Sequence, residues 1–138
     1  MNDLNRVGKL VRREFSSALM SDTKWRKLFS ALDEANLGLE QIVVKFVDVE
    51  EVRVMKMPTI SALHPPLPYI DSIEFGIIEL RSIEWLEIPS FAVWSSRENE
   101  PALKVPQKVD EAEAIIAGLG AFPVEKTDQS LRITGYIR

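Results

Sequence analysis

An α+β fold is what this sequence predicts: two N-terminal helices, a largely antiparallel sheet of about five to seven strands, and a third helix before a C-terminal β-hairpin. Three observations carry that expectation. Residues 21–38 place Trp25, Leu28, Phe29, Leu32 and Ala35 at the spacing of a single apolar helix stripe. From Ile42 onward the apolar period drops to two and β-branched residues dominate. The links between the strand-like runs are too short for the crossovers that a parallel sheet needs.

The first helix is predicted over residues 3–19, where Leu4, Val7, Leu10, Val11, Phe15, Ala18 and Leu19 recur at helical spacing. It either packs against the second helix or projects as an N-terminal arm of residues 1–20. Gly8 weakens it by about 1 kcal/mol relative to alanine. Ser21, Asp22 and Thr23 can each cap the second helix, and Gly38 offers a left-handed residue to close it. Residues 42–47 and 52–57 then read as a hairpin that Pro58 ends.

Residues 58–69 carry Pro65, Pro66 and Pro68 and favour extended, non-helical backbone. Two strands are expected between Ile70 and Ile88, interrupted near Gly76 and near Arg81 and Ser82. A short strand is expected over Phe91–Trp94, and a loop from Ser95 to Pro106. A helix over 107–117 follows, with Asp110, Glu111 and Glu113 in the early turns, where the helix dipole favours negative charge. Residues 122–126 and 131–137 read as the closing hairpin.

Length and composition bound the rest. A chain of 138 residues with 46% hydrophobic and 28% charged content suits one folded domain, residues 1–138, around one core. The absence of cysteine removes disulfides, thiolate metal sites and cysteine nucleophiles. No run is long enough for a membrane-spanning helix, and residues 1–20 lack the apolar segment of a secretory signal, so the expectation is a cytoplasmic protein. The net charge of −4 is unevenly placed. Residues 1–30 hold seven Lys or Arg against three Asp or Glu, and the remainder holds ten against eighteen.

Few residues point to chemistry. His64 is the sole histidine, and no nucleophile elbow accompanies it. It is read as an exposed loop residue. None of the six glycines lies in a phosphate-binding motif. Glu74, Glu79, Glu84 and Glu87 lie among the middle strands, where paired carboxylates can perform acid–base chemistry; the plainer reading is the polar face of a half-solvated sheet. No cofactor and no metal site is expected.

Two binding readings remain. Arg6, Lys9, Arg13, Lys24 and Lys27 are the candidates for contacting nucleic-acid phosphates, although the acidic body opposes this. Glu84, Trp85, Glu87, Trp94 and Tyr69 are the candidates for a protein-binding surface, since exposed aromatics beside acidic groups suit a basic partner of unknown identity. An open strand edge also allows a homodimer.

The run Asp22-Thr23-Lys24-Trp25-Arg26-Lys27-Leu28-Phe29, with Ile83-Glu84-Trp85 and Gly135-Tyr136 later, resembles a small bacterial domain family of unknown function that opens with a T-K-W-R-x-L-F helix. The resemblance covers the chain from Ser21 onward and implies no activity. In size, charge and layout the chain is also similar to immunity proteins of bacterial toxin systems. The leading expectation is therefore a non-catalytic protein-binding module, possessing no enzyme motif. Nucleic-acid binding and a carboxylate-based enzyme follow as alternatives.

Overall fold

The computed structural model describes residues 3–63, 69–72, 74–94 and 103–138; the side chains of residues 3–5, Tyr69 and Trp94 lie outside that description. The first helix, α1 (Asp3–Glu14), leads into a two-residue strand, β1 (Ser17–Ala18). Periodicity alone extends this helix to residue 19. It stops sooner because the C-terminus claims the backbone: Ser16 N–H donates to the Ile137 carbonyl at 2.7 Å and Leu19 N–H to that of Gly135 at 2.8 Å. Val7 is buried, and Arg6 pairs with Asp48 at 2.6 Å.

The second helix, α2 (Asp22–Glu34), starts where the sequence indicates. Ser21 Oγ accepts a hydrogen bond from Lys24 N–H at 3.1 Å, satisfying one orphan donor of the first turn. Trp25, Leu28, Phe29 and Leu32 are buried, with the Trp25 and Phe29 rings stacked 5.9 Å apart. The helix closes earlier than Gly38. Asn36 takes the left-handed conformation at φ 53°, which asparagine tolerates better than most residues, and Gly38 turns the following loop at φ 70°.

The strands β2 (Gln41–Phe46) and β3 (Arg53–Lys56) form the expected hairpin. A 3-10 turn at Ile60–Ala62 follows. The region from Ile70 to Ile88 contains three strands rather than two: β4 (Tyr69–Ser72), β5 (Gly76–Glu79) and β6 (Ile83–Pro89), the last preceded by a second 3-10 turn. Next come β7 (Phe91–Trp94) and β8 (Leu103–Pro106). The loop expected over Ser95–Pro106 thus ends in a strand, because Leu103 to Pro106 supply the backbone partners of Trp94 to Phe91. The chain finishes with α3 (Val109–Leu119), β9 (Val124–Lys126), β10 (Ser130–Thr134) and β11 (Tyr136–Ile137).

The central sheet has the order β3-β2-β6-β10-β9, with every neighbouring pair antiparallel. β4 pairs with β5, and β7 with β8, as separate hairpins. At Gly135 the last strand leaves the sheet, and β11 pairs with β1. Strand alternation sends Ile42, Val44, Leu86, Ile88, Leu131 and Ile133 to one face, where they join Trp25, Leu28, Phe29 and Leu32 of α2 and Ala112 and Ile116 of α3 in one core. Val43, Lys45, Trp85, Glu87, Arg132 and Thr134 point to the opposite face and are all partly exposed.

Burial of the inner face is what fixes the register. A one-residue slip of β6 would send Leu86 and Ile88 to the outer face. Gln107 and Gln41 then tie the β7–β8 hairpin to the sheet. Gln107 Oε1 accepts from the backbone N–H groups of Glu40 and Gln41 at 2.8 and 3.0 Å. Its Nε2 donates to the carbonyls of Gln41 and Pro89 at 3.0 and 2.9 Å. Gln41 Nε2 donates to the Val93 carbonyl at 3.0 Å, and Gln41 Oε1 accepts from Val93 N–H at 2.9 Å.

Candidate functional site

The edge of the central sheet at β3 opens onto a groove. Met57 N–H donates to the Glu40 carbonyl at 3.0 Å, so alternate residues turn their backbone groups towards β2. Lys56 and Val54 therefore turn theirs outward. Lys56 N–H meets Glu74 Oε2 at 3.0 Å, a carboxylate from the turn of the β4–β5 hairpin. Between the two hairpins lies a cavity of about 340 Å³, with Met55, Met57, Pro58 and Ala62 on its walls and Asp71 and Glu74 at its rim. That volume is near the lower bound for small-ligand pockets and fits a few side chains.

The arrangement suits an extended chain. An exposed strand edge is a template for another strand, and main-chain hydrogen bonds supply the affinity. Glu74 holds Lys56 N–H where the carbonyl of an added strand would sit. Methionine side chains adapt to varied shapes. Val54 is 52% exposed and Val52 48%, so apolar surface continues past the edge.

The aromatic and acidic candidates are split up by the fold. Trp85 and Glu87 share the outer sheet face with Arg132, which stacks over the Trp85 ring at 4.1 Å and donates from Nε to Glu87 Oε2 at 2.8 Å. Glu84 does not join them. The register slips between Lys45 and Phe46, so Glu84 falls into a bulge. Its carboxylate takes Lys45 Nζ and Arg138 Nη2, each at 3.4 Å. With 12% of its side chain exposed, Glu84 is an internal anchor for two cations. The side chains of Tyr69 and Trp94, and all of His64, lie outside the described residues.

The other candidates are dispersed too. Lys27 Nζ donates to the Leu119 carbonyl at 3.4 Å and Lys24 lies 5.7 Å from the Phe122 ring centre, both towards the end of α3. Arg6 faces Asp48 instead, and Lys9 and Arg13 are exposed on α1. The five cations thus do not form one patch. Among the carboxylates, Glu74 lines the groove, Glu79 ends β5, and Glu87 stands on the outer face. The structure does not assemble them into a pair. Among the described residues, no group of three or more His, Cys, Asp or Glu could hold a metal ion.

A polar cluster that sequence reading missed lies where α1 and α2 meet the turn before β6. Burial raises the pKa of Asp22, and Arg81 and Arg26 offset only part of that effect. Tyr136 donates its hydroxyl to the Arg81 carbonyl at 2.7 Å, and burial, with Asp22 nearby, raises its pKa. Because the folded-state pKa of Asp22 lies above the ordinary 3.8, its protonated form favours folding. That stability is fully present below 3.8 and is lost as pH rises through the raised value. Asp22→Asn is thus expected to gain stability relative to the wild type as pH rises from below 3.8 through the raised value. Urea unfolding midpoints across that range check it; a constant difference would refute the assignment.

Residues 7–138 match the family described as "Family of unknown function (DUF6678)". No curated protein and no solved structure matches the chain. Among the described residues no helix is long and apolar enough to cross a membrane. With all but its first six residues matched, the chain belongs to this family of unknown function.

Proposed function

We propose that residues 1–138 form a single, non-catalytic protein-binding module that captures an extended, basic segment of a partner along the outward edge of β3, its carbonyl displacing the Glu74 carboxylate from Lys56 N–H. The carrying observation is the Glu74 carboxylate bound to the outward Lys56 N–H beside the groove. The acid rim of Asp71 and Glu74, on a body with eight more acids than cations beyond residue 30, supports a basic occupant by charge complementarity. Cross-strand register links the edge to the open face through Val54, Val43, Glu87 and Arg132, so Trp85 and Glu87 offer the partner a second contact. A role in the bacterial cytoplasm, of the immunity-protein kind, belongs to the same reading.

Val54→Pro tests it. Proline removes a donor that points away from β2, a position where edge strands tolerate it. A partner recovered by tagged pull-down from the native cell should be retained by the wild type and lost with Val54→Pro. Its affinity should fall at least about tenfold, with the thermal midpoint close to that of the wild type. Glu74→Lys should slow association and weaken its salt dependence. Undiminished binding by both variants would refute the proposal. A dimer that Val54→Pro dissolves, seen by sedimentation velocity, would place a second copy at the edge instead.

A further inference from the structure

The two arginines that converge on α1 carry an inference independent of the β3 groove. A Cβ built on Gly8 would lie 3.4 Å from Arg12 Nη1 and 3.6 and 3.9 Å from Arg81 Nη1 and Nη2. Both guanidinium groups therefore rest against the same patch of helix backbone, no more than about 7 Å from one another. Glycine inside a helix costs about 1 kcal/mol relative to alanine, and a Cβ here would meet both groups at ordinary contact distance. Like charges so placed repel. Arg81 Nε is buried without a hydrogen-bond partner among the described residues. The oppositely charged Asp22 acts on Arg81, and its Oδ1 is likewise buried without a hydrogen-bond partner among the described residues.

We infer that Arg12 and Arg81 form a binding site for a phosphate monoester over Gly8. The stoichiometry of charge selects this ligand. A carboxylate carries one charge; Asp48 and Glu87 are each held by a single arginine, Arg6 and Arg132, and Glu84 with its two cations is the most that a carboxylate takes among the described residues. Two guanidinium groups beside the same stretch of helix offer twice that charge and more donors than a carboxylate can accept. A phosphate monoester carries about −1.5 to −2 at pH 7 and three strong acceptor oxygens. The group arrives either as free phosphate or on a phosphorylated side chain.

The test is a titration of the full chain with inorganic phosphate, O-phosphoserine and acetate at matched ionic strength, followed by the NMR signals of the Gly8 amide and the arginine Nε–H groups. Saturable shifts with either phosphate compound and none with acetate are expected. The tighter of the two phosphate compounds identifies the source. Arg12→Ala, at an exposed position, should weaken binding at least about tenfold, as loss of hydrogen bonds to a charged group does. Gly8→Ala should keep the wild-type affinity and leave the thermal midpoint unchanged or higher, since its methyl meets both guanidinium groups at ordinary contact distance and favours the helix. Equal shifts with acetate, no saturation with phosphate, or wild-type affinity in Arg12→Ala would overturn the assignment.

Discussion

Gln107→Ala is expected to lower the unfolding free energy by about 3–5 kcal/mol, against roughly 1 kcal/mol for an average substitution. Gln107 is buried, and its side chain makes four hydrogen bonds, all to backbone. Truncation strands two N–H donors and two carbonyl acceptors at the junction of β2, β6 and the β7–β8 hairpin. Each buried group left unsatisfied costs about 1–3 kcal/mol, and Glu40 is exposed enough for water to rescue its N–H. Gln107→Glu should fail almost as badly, because a carboxylate keeps both acceptor contacts but offers the Gln41 and Pro89 carbonyls no donor and brings a charge into the interior.

Gln41→Ala separates the two halves of this network. It removes only the bonds to Val93, so hydrogen exchange should rise at Val93 and along β7 while β10 stays protected. Chemical denaturation of Gln107→Ala with a loss under about 1 kcal/mol would show that water replaces the side chain and that the network is not structural.

How far the sequence predicted this fold follows from the range of the interactions. α2 was legible because its cap, its stripe and its burial all lie within 14 residues of sequence, from Ser21 to Glu34. The β2–β3 hairpin was legible for the same reason. The end of α1 was not, because what stops it is pairing with residues more than a hundred positions away. β8 was missed because a polar, proline-bearing segment lacks a strand pattern, and only the presence of β7 beside it makes it a strand.

The candidate sites divide in the same way. Alternation places Trp85 and Glu87 on one face once the register is known. Alternation alone would send Glu84 to the inner face with Leu86 and Ile88; the bulge at Lys45 and Phe46 turns it towards Lys45 and Arg138 instead, and no local pattern announces a bulge. The groove brings together residues 55–62 and 71–74, which the proline-rich stretch separates in sequence. Arg81 reaches Gly8 from 73 positions away. The one local signal for that contact was the glycine itself, a poor helix former placed beside the buried Val7.

Gly135→Ala is expected to be at least as damaging as the glutamine substitution, through overpacking rather than a lost bond. The residue sits where β10 ends and β11 turns towards β1, and its N–H donates to the Glu84 carbonyl at 2.7 Å. A Cβ there would come closer than 3.0 Å to the Ile83 carbonyl oxygen, 3.0 Å from that of Glu84 and 3.4 Å from Trp25 Cζ2. Two of those neighbours are backbone atoms at the bulge that positions Glu84, and the third belongs to the buried anchor of α2. None is the free end of a flexible side chain, so the methyl must push β6 and β10 apart or displace the indole. Overpacking of this kind costs about 1–3 kcal/mol where side chains can give way and more where backbone must move. A loss of about 3 kcal/mol or more is therefore expected in urea unfolding, together with altered tryptophan fluorescence from Trp25. Detachment of β11 should also expose the N–H groups of Ser16 and Leu19, which depend on Ile137 and Gly135, to rapid hydrogen exchange. Gly118→Ala is the matched control. It lies within α3 with nothing inside 4 Å of the added methyl, so it should be neutral or stabilise by up to about 1 kcal/mol. If Gly135→Ala behaves like Gly118→Ala, the close approach of the last strand to the bulge is not what holds the C-terminus in place.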